Sequence, residues 1–454
     1  MIPIVTPAEM AAIDAAAPEP VEVLIGRAGA AVAREALRML GGGYGRRVVV
    51  LAGPGNNGAD GREAARRLAR RGVRVRVHEL GDLPASVDHA DLVVDAVLGT
   101  GARPGFVAPR VAPDIPVLAV DLPSGADGLT GAAGEGVLAA DRTVTFAALK
   151  PGLLLHPAAA LAGEVQVADI GLDTSGARAW LLTDADLADL MPDRAPDAHK
   201  WRAAVWVVAG SPGMTGAAHL TVRGAQRVGA GYVRLSSPGV TDDPMRPTES
   251  VGVSLPPEGW AARVLGDLDR FRVLAVGPGL GLGETVTSEV AGLVGAAPCP
   301  VVVDGDGLTA LAEAGLEVVA RRQAPTVLTP HDGEMARLVG GPPGADRFAA
   351  VRVLAAAASA VVLSKGSPTL VANPDGQVLV TAAGDARLAT AGTGDVLTGI
   401  IAGLLASGVE PFSAAAAGAH LHGLAGAVGS RHGLVAGDLP DALPSVIDQL
   451  SSED

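Results

Sequence analysis

The chain has 454 residues, of which 48% are apolar and 19% charged, and a net charge of −14. That length exceeds one ordinary domain, so two are expected. The acidic balance argues against a general nucleic-acid or anionic-membrane binder but leaves room for local basic pockets that hold phosphates. The single cysteine, Cys299 in "APCPVVV", rules out a disulfide framework within one chain and points to a reducing cytoplasm. No polar or basic residue flanks it, so it reads as a buried, inert thiol. The start, "MIPIVTPAEMAAIDAAAP", carries Glu9 and Asp14 and no basic segment, unlike a secretory signal. No apolar run reaches the ~18 residues of a membrane span.

Residues 8–40 read as two helices, the second stopped by Gly41-Gly42-Gly43. Short apolar strands then alternate with helical stretches: "RRVVVLAG", a helix over 60–71, "VRVRVHEL", "ADLVVDAVLG", "PVLAVDLPSG", "RTVTFAA" and "GEVQVADIG". This alternation predicts an α/β fold with a mostly parallel, doubly wound sheet, whose ligands sit beyond the carboxyl ends of the strands. Residues 174–200 are polar, acidic and proline-bearing, which places a boundary near residue 178 and divides the chain into 1–178 and 179–454. A second series follows: "AVWVVAGS", a helix over 216–228, "YVRLSS", "FRVLAVGPGLG", "CPVVVDGDGL", "TVLTPHDGE", "AVVLSKGS", "TLVANPDGQVLV" and a helix over 394–407.

Gly53, Gly55 and Gly58 spell G-x-G-x-x-G between a strand and a helix, with Glu79 about twenty residues on, which is the dinucleotide fingerprint. Backbone N–H groups in such a turn can approach an anion at the helix N-terminus, although a structural tight turn accounts for the glycines as well. Asn56, Asn57 and Asp60 make the loop more polar than packing requires. Other strand ends in this half add Asp95, Gly99 to Gly101, Asp121, Ser124 and Lys150. A carboxylate near an ammonium can do acid–base work, and Asn, Asp and Ser oxygens suit a hard cation. The alternative is that Asp95 and Asp121 merely cap their turns.

In the second half, "AGTGDVLTG" puts Gly392, Thr393, Gly394 and Asp395 at the start of a helix. Its amides and dipole would bind a developing anion, and Asp395 could take the proton of a substrate hydroxyl in phosphoryl transfer. A plain cap is the alternative. "SKGSPT" (Lys365, Gly366, Ser367, Pro368 and Thr369) suits nucleotide phosphates or a hairpin turn. His331 in "TPHDGE" reads as a ligand contact or a structural histidine. Asp304 and Asp306 in "DGDGL" read as a turn or a substrate-side acid pair. No Walker A, H-E-x-x-H or C-x-x-C sequence is present.

The first half resembles the NAD(P)H-hydrate epimerase family in "GPGNNGADG", "DAVLGTG", "AVDLPSG", "ADRTVTFAALKPGLLLHP" and "VADIGLD". The second resembles the ADP-dependent NAD(P)H-hydrate dehydratases in "HK" at 199–200, "VVAGSPGMTGAA", "GAGYV", "GPGLG", "TPHDGEMARL", "SKGSPTLVA" and "TAGTGDVLTGIIAGLLASG". The resemblance implies a Rossmann-like three-layer αβα domain followed by a ribokinase-like αβα domain. It also implies a repair activity on NADH and NADPH hydrated at carbon 6 of the nicotinamide ring.

Carried over residue by residue, the resemblance has Asn56, Asn57, Gly58, Ala59 and Asp60 hold the hydrate, together with Gly99, Thr100, Gly101, Ala102, Arg103, Pro104 and Gly105. Asn57, Asp95 and Ser124 would bind K⁺, and Asp121 and Lys150 would form the acid–base pair, Asp121 also contacting the hydrate. In the second domain, Ala217, Gly279, His331 and Asp395 would contact the S hydrate, with Asp395 as base. Lys365, Gly366, Ser367, Pro368, Thr369 and Gly394 would bind ADP, which brings Mg²⁺. The expected partners are these small molecules, with neither nucleic acid nor membrane, in a homo-oligomer in the cytoplasm. Two departures stand out. Ala59 replaces a glycine of the family's loop, which matters if that site takes positive φ. "HKWRAAV" stands where a glycine-lined turn is usual. Competing readings are an NAD-dependent dehydrogenase, a small-molecule kinase of the ribokinase-like group and a non-catalytic nucleotide-binding regulator.

Overall fold

The computed structural model describes residues 1–100, 105–192 and 196–450. The chain divides into two compact units, one of residues 2–179 and one beginning at Trp180. Among the described residues no helix is long and apolar enough to cross a membrane.

The first unit opens with α1 (Pro7–Ala16) and α2 (Val21–Leu40). Thr6 and Glu9 form a capping box and Pro7 starts the first turn of α1, satisfying N–H groups that would otherwise lack partners. Gly41 stops α2 in the left-handed region, at φ 64°. The main sheet of this unit has six strands: β1 (Arg47–Ala52), β2 (Arg74–Glu79), β3 (Leu92–Ala96), β4 (Val117–Val120), β5 (Arg142–Phe146) and β6 (Glu164–Ala168). They pair in parallel in the order β2-β1-β3-β4-β5-β6. Alternation assigns the two faces. Val48, Val50, Leu92, Val94, Leu118 and Val120 pack with α2 and with α3 (Asn56–Arg70). Val49, Leu51, Val93, Val117 and Ala119 face the opposite core.

The second unit contains a sheet in the order β7-β16-β15-β14-β13-β12-β11-β8-β9-β10. Its strands are β7 (Ala179–Leu181), β8 (Ala204–Val208), β9 (Tyr232–Ser236), β10 (Val251–Gly252), β11 (Val273–Val276), β12 (Val301–Val303), β13 (Thr326–Leu328), β14 (Val361–Ser364), β15 (Thr369–Ala372) and β16 (Val378–Thr381). From β10 through β14 all pairs are parallel, whereas β14, β15 and β16 are antiparallel neighbours. The helices that matter for the site are α4 (Thr215–Arg227), α5 (Asp306–Ala314), α6 (Asp332–Val339), α7 (Thr393–Ala406) and α8 (Pro411–Val428). Cys299 is buried, and burial pushes its thiol up to about 11, which keeps it protonated and unreactive.

Helices α4 and α7 meet at backbone distance because glycine lies on both. A Cβ on Gly399 would fall 2.0 Å from the Thr221 carbonyl oxygen, and one on Gly224 would fall 2.4 Å from that of Val396. Gly399→Ala must therefore push the helices apart. It is expected to lower stability by about 1–3 kcal/mol or more, seen as a lower urea midpoint at unchanged slope.

Candidate active sites

In the first unit the polar loop predicted before the helix is the helix itself: α3 begins at Asn56, not at residue 60. The close fit of glycines allows this, because a Cβ on Gly53 would lie 1.8 Å from the Val97 carbonyl oxygen and one on Gly58 1.8 Å from that of Gly53. Ala59 sits in the first turn of α3, its N–H donating to the Gly55 carbonyl at 3.0 Å, and is not among the residues with positive φ. Alanine therefore suits that backbone.

Asp121 follows β4 and takes φ 67°, rare for a residue other than glycine and a form of strain that collects at functional sites. Its Oδ1 lies 2.7 Å from Lys150 Nζ and accepts from Thr145 Oγ1 at 3.0 Å. Lys150 is only 1% exposed, and its ammonium also donates to Thr145 Oγ1 (2.9 Å), the Phe146 carbonyl (3.1 Å) and the Ala148 carbonyl (3.3 Å). Its donors are thus taken up by the protein. Asp60 stands near this pair. Burial, then the charges of Asp121 and Asp14, push its carboxyl up to about 8, so it is mostly protonated at neutral pH. Asp14 of α1 is raised too, by burial first, against the attraction of Lys150. Nothing in its local sequence singled Asp14 out; only packing carries α1 into this field.

Asp95, at the end of β3, is buried. It accepts from Ser124 Oγ (2.5 Å), Ser124 N (2.9 Å) and Val97 N (3.4 Å), and no cationic side chain pairs with it among the described residues. Burial raises its pKa, partly offset by the Ser124 bonds. Both polar atoms of the Asn57 amide are buried without a partner. The segment Leu98–Gly99 links these groups. Leu98 N donates to Ser124 Oγ at 2.8 Å, and a Cβ on Gly99 would lie 3.2 Å from Asp121 Oδ2 and 3.4 Å from Asn57 Cγ. A buried carboxylate lacking a counter-charge, with an unpartnered amide oxygen, is a donor set that suits a hard cation. Thr100 and Gly105 flank the segment Gly101, Ala102, Arg103 and Pro104, which lies outside the described residues.

In the second unit, residues from five strand ends gather. Gly392 caps α7 at φ 91°, in the left-handed region. Asp395 lies in the first turn. Burial, then Asp304, with further contributions from Asp306 and Glu334, outweighs Lys365 and pushes its carboxyl up to about 7. A Cβ on Gly394 would lie 3.4 Å from Lys365 Nζ. Lys365 opens the connection between β14 and β15, so "SKGSPT" is a hairpin turn. Its ammonium lies 2.7 Å from Asp304 Oδ1 and 3.7 Å from Glu334 Oε2. Thr369 Oγ1 donates to the Gly366 carbonyl at 3.1 Å.

His331 caps α6. Its Nδ1 accepts from Gly333 N (3.0 Å) and Glu334 N (3.3 Å), and Glu334 accepts in return from His331 N. This places the proton of the neutral ring on Nε2, leaving that nitrogen as a donor. Gly279 lies close to Ala217, since a Cβ on it would sit 3.0 Å from the Ala217 Cβ. His422 of α8 also belongs to this region. It is buried with Nε2 unpartnered, and burial pushes its pKa down to about 4, so it stays neutral.

Residues 205–449 match the family model described as NAD(P)H-hydrate dehydratase, and residues 21–86 and 78–152 match the YjeF-related protein N-terminus. The chain is 38% identical to the bifunctional NAD(P)H-hydrate repair enzyme Nnr of Moorella thermoacetica, over 99% of this chain and 97% of that one. It is 40% identical to that of Mycobacterium tuberculosis, over 85% and 84%. Among solved structures, the ADP/ATP-dependent NAD(P)H-hydrate dehydratase of Bacillus subtilis, co-crystallised with ATP and Mg²⁺, is 30% identical. It aligns with a TM-score of 0.52 over 59% of this chain and 97% of its own. A ribokinase-like superfamily protein of Enterococcus faecalis, 22% identical with a TM-score of 0.54 over 62% of this chain and 99% of that one, shares the fold of the second unit. Coverage of both units by one continuous relative places the chain in the family of bifunctional NAD(P)H-hydrate repair enzymes.

Proposed function

We propose that residues 1–178 interconvert the R and S hydrates of NADH and NADPH, and that residues 179–454 use ADP to dehydrate the S form. The observation that supports this best is Asp395. It is a carboxyl raised to about 7 in the first turn of α7, beside the Gly394 amide and the Lys365 ammonium. A base of that pKa can take a hydroxyl proton at neutral pH. The ring hydroxyl at carbon 6 then attacks the β-phosphorus of ADP, an O–P bond forms, and AMP leaves. Next, the carbon–oxygen bond breaks with release of phosphate and loss of a ring proton, restoring NAD(P)H. Gly394 N–H and Lys365 stabilise the transferring group, and the turn Lys365 to Thr369 holds the nucleotide. His331 Nε2 donates to the hydrate, which lies against Ala217 and Gly279. Mg²⁺ bound to the ADP phosphates would neutralise part of their charge.

In the first unit, inversion at carbon 6 requires the bond from that carbon to its hydroxyl oxygen or to the ring nitrogen to break and re-form on the opposite face, with a proton given and then taken back. Asp121 carries the exchanging proton, Lys150 fixes its charge, and protonated Asp60 donates a hydrogen bond to the hydrate. Asn56 to Asp60 and Gly99 to Gly105 form the grip. Asn57, Asp95 and Ser124 would hold K⁺, which supplies a fixed positive charge there. We also take the enzyme to be a cytoplasmic homo-oligomer, on the family resemblance and the lone cysteine.

The test is to mix hydrated NADH with the chain, ADP, Mg²⁺ and K⁺ and follow the reduced-nicotinamide absorbance. Both hydrates are expected to return as NADH. Recovery of the S form alone would reject the epimerase assignment, and no recovery would reject the whole reading.

A further inference from the structure

Asp304 has no part in the roles proposed above, yet it links two elements of the second unit's site. It follows β12, is 2% exposed, and uses both oxygens. Oδ1 pairs with Lys365 Nζ at 2.7 Å, and Oδ2 accepts from Thr398 Oγ1 at 2.8 Å. Lys365 belongs to the hairpin turn after β14. Thr398 belongs to α7, one turn beyond Gly394, whose carbonyl its hydroxyl also reaches at 3.1 Å. One buried carboxylate thus ties the turn assigned to the nucleotide to the helix that carries the base. The Gly394 turn is close by: a Cβ there would lie 3.4 Å from Lys365 Nζ and 3.6 Å from Asp304 Oδ2.

A lysine ammonium on a four-carbon stem is an unfocused charge unless something holds it. Here the holders are Asp304 at 2.7 Å and, more distantly, Glu334 at 3.7 Å. The charged groups that act on Asp395 are Asp304, Asp306, Glu334 and Lys365. Asp306 is engaged with the Gly281 N–H at 2.8 Å. Removing the Asp304 charge therefore changes both the aim of Lys365 and the field at the base.

We propose that Asp304 is a positioning residue of the dehydratase unit, which holds the Lys365 ammonium against the Gly394 turn so that it meets the phosphoryl group of a nucleoside diphosphate. This rests on the dehydratase reading given above.

The test uses the full chain with hydrated NADH, ADP and Mg²⁺, comparing wild type, Asp304→Asn, Lys365→Met and the double variant. Asparagine keeps the shape and an acceptor for Thr398 but loses the charge. In Asp304→Asn, kcat is expected to fall by about 30-fold or more, as loss of positioning does, with a smaller change in the KM for ADP. The double variant should be no slower than the slower single one. The acid limb of the pH profile should move to lower pH in Asp304→Asn, because a like charge has left Asp395. A kcat within about threefold of wild type, losses that multiply in the double variant, or an unmoved acid limb would each overturn the proposal. Thr398→Val guards against misfolding of Asp304→Asn. It removes the hydroxyl's bonds to Asp304 and to the Gly394 carbonyl but leaves the Asp304–Lys365 pair, and should lower kcat while the chain still melts cooperatively, at a midpoint lowered by a few degrees; unchanged kcat would also overturn the proposal. A wild-type chain that returns no NADH would instead sink the dehydratase reading, so the two failures are distinguishable.

Discussion

Asp395→Asn is expected to lower ADP-dependent recovery of NADH by about 10²–10⁴-fold, the usual contribution of a positioned base, while exchange between R and S hydrates continues at the wild-type rate. Asparagine is nearly isosteric and cannot take a proton, so the change removes chemistry and leaves packing largely alone. The wild-type pH profile provides a second check. With the carboxyl at about 7, the base is protonated and inactive below that pH. The rate should therefore rise about tenfold per pH unit on the acid side and level off above 7. Retained dehydration in Asp395→Asn, or a limb near the usual carboxylate range, would remove Asp395 from the role of base. The residue's elevated pKa is a consequence of its neighbours. Burial and three carboxylates outweigh one ammonium, so the site holds its base ready near neutral pH.

The second large effect belongs to the other unit. Asp121→Asn is expected to reduce R/S exchange by about 10²–10⁴-fold and leave dehydration of the pure S hydrate unchanged, read by chromatographic separation of the two hydrates. It also strips Lys150 of its counter-charge in a site where the lysine is 1% exposed. A fall in melting temperature should accompany the loss, since an unpaired buried charge is costly. Asp60→Asn separates the roles. With a carboxyl at about 8, Asp60 is the protonated donor below that pH and loses its proton above it. Exchange by the wild type should therefore decline above pH 8. The amide of Asp60→Asn donates at every pH, so this variant should keep substantial activity and lose that decline. If the decline persists in Asp60→Asn, another group titrates there.

The two sites differ in how they were legible. "AGTGDVLTG" announces both an amide turn and a carboxylate in one short stretch, because adjacent residues build them. The G-x-G-x-x-G loop was harder. The fingerprint suggested an anion-binding turn, yet α3 begins four residues earlier than its pattern indicated and takes in Asn56 and Asn57. Polarity at those positions hid a helical backbone whose start is set by contact between Gly53, Gly58 and the Val97 carbonyl. The position of Ala59, a point of concern in the sequence, is ordinary helix. Lys365 looked like a phosphate ligand in a turn. What the local sequence did not reveal is that its ammonium also pairs with Asp304, a residue 61 positions away. His331, open between a ligand contact and a structural role, caps α6 through Nδ1, while its Nε2 lies 3.5 Å from Glu334 Oε1.

The sequence by itself determined the alternation of strands and helices, the strand ends where chemistry gathers, the reactive residue types and the family, because each is written in local spacing or in runs of adjacent residues. Only the tertiary structure decided which charges meet. Asp14 reaching the field of Asp121, Lys150 paired with Asp121, the unpartnered Asn57 amide and the Asp304 link between a turn and α7 all depend on segments far apart in the chain. Burial and proximity set pKa values and aim side chains, and neither quantity exists until the strands are side by side.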